Sequence, residues 1–131
     1  MLKRILPAML LAGLAGCTSV GDRGDAADDV ALRLLTAVES DDGPAACATL
    51  APDTLAEVEE AAGQPCDKAI LDEDLPSPGT VTGTDVYGQL AQVRLTGDTL
   101  FLAAFPGGWR VVAAGCTSRG DQPYNCTLQG G

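Results

Sequence analysis

Residues 90–116 read LAQVRLTGDTLFLAAFPGGWRVVAAGC. Ala91, Val93 and Leu95 alternate with Gln92, Arg94 and Thr96. This period of two marks a strand with one wet face. Gly97-Asp98 suits a tight hairpin. Thr99 to Phe105 is apolar at almost every position and reads as a central strand. Pro106-Gly107-Gly108 turns the chain into Trp109 to Cys116, where Trp109, Val111 and Ala113 are expected on one face. The threonine- and valine-rich stretch Thr80 to Tyr87 adds a strand in front. The expectation is a four-stranded antiparallel meander, followed by a loop from Thr117 to Asn125.

Upstream of Pro76-Ser77-Pro78-Gly79 the period is helical. Ala27, Val30, Leu34 and Val38 recur at steps of three and four, which predicts a helix over Asp25 to Glu39 with Asp25, Asp28 and Asp29 in its first turn. Pro44 suits the first position of a short second helix running to Leu50. Thr54-Leu55-Ala56-Glu57 has the form of a capping box opening a third helix to about Ala62, with Leu55, Val58 and Ala62 inward. A brief turn of helix is expected over Asp67 to Leu71. Helices followed by an antiparallel sheet define an α+β class.

The first sixteen residues have another texture. Lys3 and Arg4 precede a short apolar run ending in Leu14-Ala15-Gly16-Cys17. A basic head, an apolar body too short to span a bilayer and small residues before the cut describe a secretory signal peptide. The Leu-Ala-Gly-Cys ending resembles the lipobox of bacterial lipoproteins. That resemblance implies cleavage after Gly16, acylation of Cys17, and attachment to the outer face of the bacterial cytoplasmic membrane. The organisation expected is a leader over 1–16, a lipidated cysteine and tether over 17–24, and one α+β domain over 25–131.

Without its leader the chain keeps all 18 acidic residues against 6 basic ones. Fifteen of the acids fall between Asp22 and Asp74, facing only Arg23, Arg33 and Lys68. Nucleic acid is excluded as a partner, because phosphate binding needs a basic stripe. Beyond Cys17 there remain Cys47, Cys66, Cys116 and Cys126, an even set suited to an oxidising compartment. Three pairings are possible. The two local ones, Cys47–Cys66 and Cys116–Cys126, are favoured, because each closes a loop within one segment.

Helices, a hinge and then a bent sheet resemble the cone-shaped roll of the nuclear-transport-factor-2-like and SnoaL-like superfamily. The closing run Gly108-Trp109-Arg110-Val111-Val112-Ala113-Ala114-Gly115-Cys116, then Pro123-Tyr124-Asn125-Cys126, is similar to the ending of small envelope lipoproteins of that fold. The resemblance implies a pocket between sheet and helices, lined by Val81, Asp85, Val93, Leu95, Phe101, Ala103, Trp109 and Val111. Catalysis in the superfamily often uses a carboxylate or histidine there. This chain has no histidine, which leaves Asp85 as the one candidate base and rules out any Ser-His-Asp or Cys-His set. The acidic pairs Asp28-Asp29 and Asp41-Asp42 and the run Asp72-Glu73-Asp74 lack the oxygen spacing of a calcium loop. No metal or cofactor is expected. Two functions follow as expectations: a non-catalytic anchored module that binds an envelope protein or a small apolar ligand, or an enzyme using Asp85 on a lipophilic substrate.

Overall fold

The computed structural model describes residues 20–130. Cys17 and the leader before it lie outside the described residues. The element order is α1 (Val20–Glu39), α2 (Gly43–Cys47), α3 (Pro52–Ala62), α4 (Cys66–Ala69), a single 3-10 turn (Ile70–Asp72), then β1 (Val81–Tyr87), β2 (Leu90–Leu95), β3 (Thr99–Phe105), β4 (Gly108–Arg119) and β5 (Gln122–Gln129). The strands form one antiparallel sheet in the order β1-β2-β3-β4-β5. The sheet therefore has five strands and not the four expected, because the stretch assigned to a closing loop continues β4 and returns as β5. Pro123 is tolerated there because β5 is an edge strand, where a missing N–H costs no ladder bond on the open side.

α1 starts at Val20, five residues before the predicted Asp25, so residues 20–24 of the expected tether are helical. Propensity argues against this start, with Gly21 and Gly24 in the first turns. Tertiary contacts override it. Gly24 is buried, and a Cβ there would lie 3.6 Å from the Thr84 methyl. Asp25, Asp28 and Asp29 consequently sit beyond the first turn, and Asp28 accepts a hydrogen bond from the Thr84 hydroxyl instead of capping the helix. Ala27, Ala31, Leu34 and Leu35 are fully buried on the face α1 turns to the sheet. The alanines let the helix lie close, while the leucines fill the space between.

The other helices are stapled to one another. Asp42 caps α2 by accepting from the Ala45 N–H at 3.2 Å. Gly43 must be glycine, since a Cβ would fall 1.9 Å from the Asp67 carbonyl oxygen. That close approach holds α2 against α4, and the Cys47–Cys66 disulfide bridges the same two elements. α3 starts at Pro52, not Thr54, so the capping box does not form. The fully buried Thr54 hydroxyl donates across the domain to the Val112 carbonyl at 2.9 Å. Ala62 is exposed, whereas Val58 is buried.

The core fills one face of the sheet. Leu34, Leu35 and Ile70 meet Val93, Leu100, Leu102 and Val111, all with at most 1 % of their surface exposed. Burial of each contributes about 1.5–3 kcal/mol. β4 joins the layers. Its first half pairs on one edge with β3 and on the other with the link between α2 and α3. There the Val111 N–H donates to the Thr49 carbonyl at 2.8 Å, and the Ala51 N–H donates to the Val111 carbonyl at 2.9 Å. The second half of β4 pairs with β5, and Cys116–Cys126 links those two strands.

The turn between β2 and β3 holds a group that the sequence pattern hides. Asp98 is only 8 % exposed, and its carboxylate accepts from the backbone N–H groups of Thr99 at 2.7 Å, Cys116 at 3.0 Å and Gly115 at 3.1 Å. Asp98 sits in the hairpin turn that Gly97-Asp98 predicts, and it also pins that turn to β4. Burial pushes its carboxyl above the ordinary 3.8, against the opposing pull of the three N–H bonds. Replacing Asp98 with Ala strands three donors and is expected to cost about 3 kcal/mol in chemical denaturation. A raised folded-state value means that the folded protein holds this proton more tightly than the unfolded chain. The contribution is therefore complete below the unfolded value and is lost as pH rises through the folded one. The stability advantage of the wild type over Asp98→Asn is accordingly larger at about pH 3 than at about pH 7, and a widening gap toward neutral pH would contradict this assignment.

Candidate functional site

Residues expected to line one pocket are divided between the two faces of the sheet. Val93, Leu95, Trp109 and Val111 face the helices as packed core, and Val81 packs at its edge. Phe101 and Asp85 lie on the opposite face. β3 is apolar on both sides, so its period cannot say which side is inward. The register decides: Val93 pairs with Leu100 and Ala91 with Leu102, which turns Phe101 and Ala103 outward. A bulge opposite the Phe101–Leu102 step then moves Ala113 to the outer face beside Phe101, away from Trp109 and Val111.

The outer face carries a transverse row in which Asp85 pairs with Gln92, Gln92 with Phe101, and Phe101 with Ala113. Arg94 donates to the Asp85 carboxylate at 2.6 Å, with 38 % and 44 % of the two side chains exposed. The hydrogen bond that Arg94 donates to Asp85, and then the Asp85 charge, hold the Arg94 guanidinium more firmly in its charged form. Tyr124 of β5 reaches over the same face. Its ring meets Phe101 edge-on at 5.1 Å, and its hydroxyl accepts from the Gln92 amide at 3.2 Å.

This row does not have the form of a general-base site. Asp85 is half-exposed, its carboxylate is engaged by the Arg94 guanidinium, and it lies on the face of the sheet turned away from the helices. Among the described residues no group of three or more histidine, cysteine or acidic side chains is placed to hold a metal ion. The acidic run 72–74 is one place where charge is perturbed: partial burial, and then Asp72, push the Glu73 carboxyl above its ordinary value.

The apolar concavity lies elsewhere. Pro44, Cys47, Leu50, Leu55, Phe105 and Pro106 line an open groove of about 620 Å³. Arg110 stands at its rim and donates to the Ala48 carbonyl. Next to it, Pro52, Phe105 and Val112 help to line a smaller pocket of about 250 Å³. None of the groove residues except Cys47 was a sequence candidate. They come from the α2–α3 region and from the β3–β4 turn, which lie side by side where residues 49–51 pair with β4. No local pattern announces such a meeting.

The Phe101–Tyr124 contact predicts a measurable effect. Tyr124→Ala removes both the ring contact and the Gln92 hydrogen bond by which β5 reaches β2 and β3 across the outer face. The expected loss is about 1 kcal/mol, with faster amide exchange along β5; an unchanged melting curve would show the contact to be idle. Compared with known proteins, the chain matches no family model, no curated protein and no solved structure.

Proposed function

We propose that this protein is a lipid-anchored binding module at the outer face of the bacterial cytoplasmic membrane, held by acyl chains on Cys17 and taking a small apolar ligand in the groove beside Phe105 and Pro106. One observation carries the binding half of this reading. The helix-covered face of the sheet is filled by core side chains, whereas the groove presents Pro44, Pro52, Pro106, the Phe105 ring and part of Leu55 to solvent. Such a concavity with one cation at its rim suits an apolar body with a polar or anionic end. The anchor half rests on the Leu14-Ala15-Gly16-Cys17 ending. A relation to the cone-shaped roll is part of the same proposal, supported by helices on one face of a sheet with bulges in three of its four pairings.

Intact mass measurement of the protein extracted from its own membrane tests both halves. The expected species is cleaved before Cys17, carries acyl chains there and retains a non-covalent adduct. Cys17→Ser abolishes acylation and releases the protein from the membrane fraction. Leu55→Gln, in the groove wall, keeps the acyl mass and loses the adduct. Unmodified Cys17 ends the anchor reading. An acylated protein with no adduct, or with a co-purifying protein bound in the groove, ends the small-ligand reading.

A further inference from the structure

Where the exposed apolar side chains lie relative to the start of α1 is not explained by the groove. Tyr87, Leu90 and Phe105 are the large hydrophobic residues left exposed among the described ones, at 61 %, 58 % and 37 %. All three flank two turns at one end of the sheet. Tyr87 pairs with Leu90 across the β1–β2 turn, and Phe105 pairs with Gly108 across the β3–β4 turn. The two turns are neighbours, since the Ala104 N–H donates to the Gln89 carbonyl at 2.8 Å.

The first turn of α1 is fixed to that same end by Arg23. Its guanidinium donates to the Gly88 carbonyl in the β1–β2 turn, and it lies 5.3 Å from the ring centroid of Trp109, just after the β3–β4 turn. The opposite end is different in character. The β4–β5 turn there is Arg119-Gly120-Asp121-Gln122, and the β2–β3 turn carries Asp98 turned inward.

Cys17 precedes the first residue of α1 by three positions. Fully extended, that length of chain reaches about 10 Å. An acyl group on Cys17 would therefore hold this end of the domain, and not the polar one, against the bilayer. From this juxtaposition we infer that Tyr87, Leu90 and Phe105 form a membrane-docking surface that settles into the interfacial layer of a zwitterionic bilayer. The inference rests on the reading of Cys17 as acylated and adds an orientation to it.

The chemistry of the surface selects this occupant. Tyrosine, leucine and phenylalanine at the tips of turns suit the headgroup–acyl boundary, where an apolar body meets a wet edge. Apolar contact and not charge drives the docking. Asp22 and Asp25 lie in the first turns of α1, and the one cation there, Arg23, is engaged with Gly88 and Trp109. Docked in this way, the Phe105–Pro106 lip of the groove lies at the bilayer surface.

Amide exchange on the acylated mature protein in phosphatidylcholine vesicles tests the docking, with acyl-free Cys17→Ser in solution as the reference. Residues 87–90 and 104–108 are expected to exchange about tenfold more slowly on vesicles, while 119–122 stay unchanged. The triple variant Tyr87→Ser, Leu90→Ser, Phe105→Ser changes only exposed side chains; it is expected to keep its fold and acyl mass and to lose this protection. Unchanged exchange at both turns in a protein shown to be acylated overturns the docking surface and leaves the anchored module standing. Protection of the same turns in Cys17→Ser without lipid, rising with protein concentration, overturns it in favour of a second copy of the chain. If Cys17 carries no acyl chain, the anchor reading fails and the docking surface fails with it.

Discussion

Val111 gives its backbone N–H to Thr49 and takes that of Ala51, and through these two bonds the helical half of the chain is registered on the sheet. The side chain of Val111 is fully buried between Leu102 and the helix layer. Two residues further on, the same strand leaves the 49–51 link and takes up β5. One strand thus serves three partners in succession along two edges. The helices are connected to each other by a disulfide and a glycine contact, but their position over the sheet depends on this short parallel bridge, on Thr54 reaching Val112 and on the leucines of α1. The groove is a by-product of the same arrangement. It lies where the link between α2 and α3 runs beside β4 and the β3–β4 turn, so its walls are as fixed as the pairing that creates them.

Legibility in the sequence follows solvent contrast. β2 could be read residue by residue because one side of it is wet: Gln92 and Arg94 mark the outer face and Ala91, Val93 and Leu95 the inner one. β3 has no such contrast, and Phe101 was assigned to the wrong side; only the pairing of Val93 with Leu100 reveals which face is which. Ala113 was misplaced by a bulge that no composition rule announces. β5 did carry a signal, since Tyr124, Cys126 and Leu128 alternate, but Pro123 and Asn125 argue for a loop until the strand is known to be at an edge. The start of α1 was hidden behind glycines whose cost is offset by Arg23 on Trp109 and by Gly24 against Thr84.

The candidate site was less legible than the fold, for a related reason. The positions expected to line a pocket are those a small α+β domain needs for its core, and here the core uses them. Asp85 lies on the other face, half-exposed and paired with Arg94. The groove draws on Pro44, Leu55 and Phe105, residues with no shared spacing, and the docking surface on turn-flanking residues that look ordinary one at a time. Asp98 shows the converse. It occupies a position where aspartate commonly faces solvent in a tight turn, yet it is among the least exposed polar residues described, because the adjacent Thr99 N–H and two distant ones, from Gly115 and Cys116, converge on it.

The two disulfides join cysteines in the order in which the chain presents them, first to second and third to fourth. Any other pairing closes a loop roughly three times longer or more, which forms about fivefold less readily by chain entropy alone. For a chain that enters an oxidising compartment from its N-terminus, each bridge can close within its own newly arrived segment. Cys47 finds Cys66 while the sheet is still to come, and Cys116 finds Cys126 across a single turn. Oxidation in order of arrival therefore yields the native bridges directly, so maturation requires an oxidant but no step that breaks a wrong bond and makes it again.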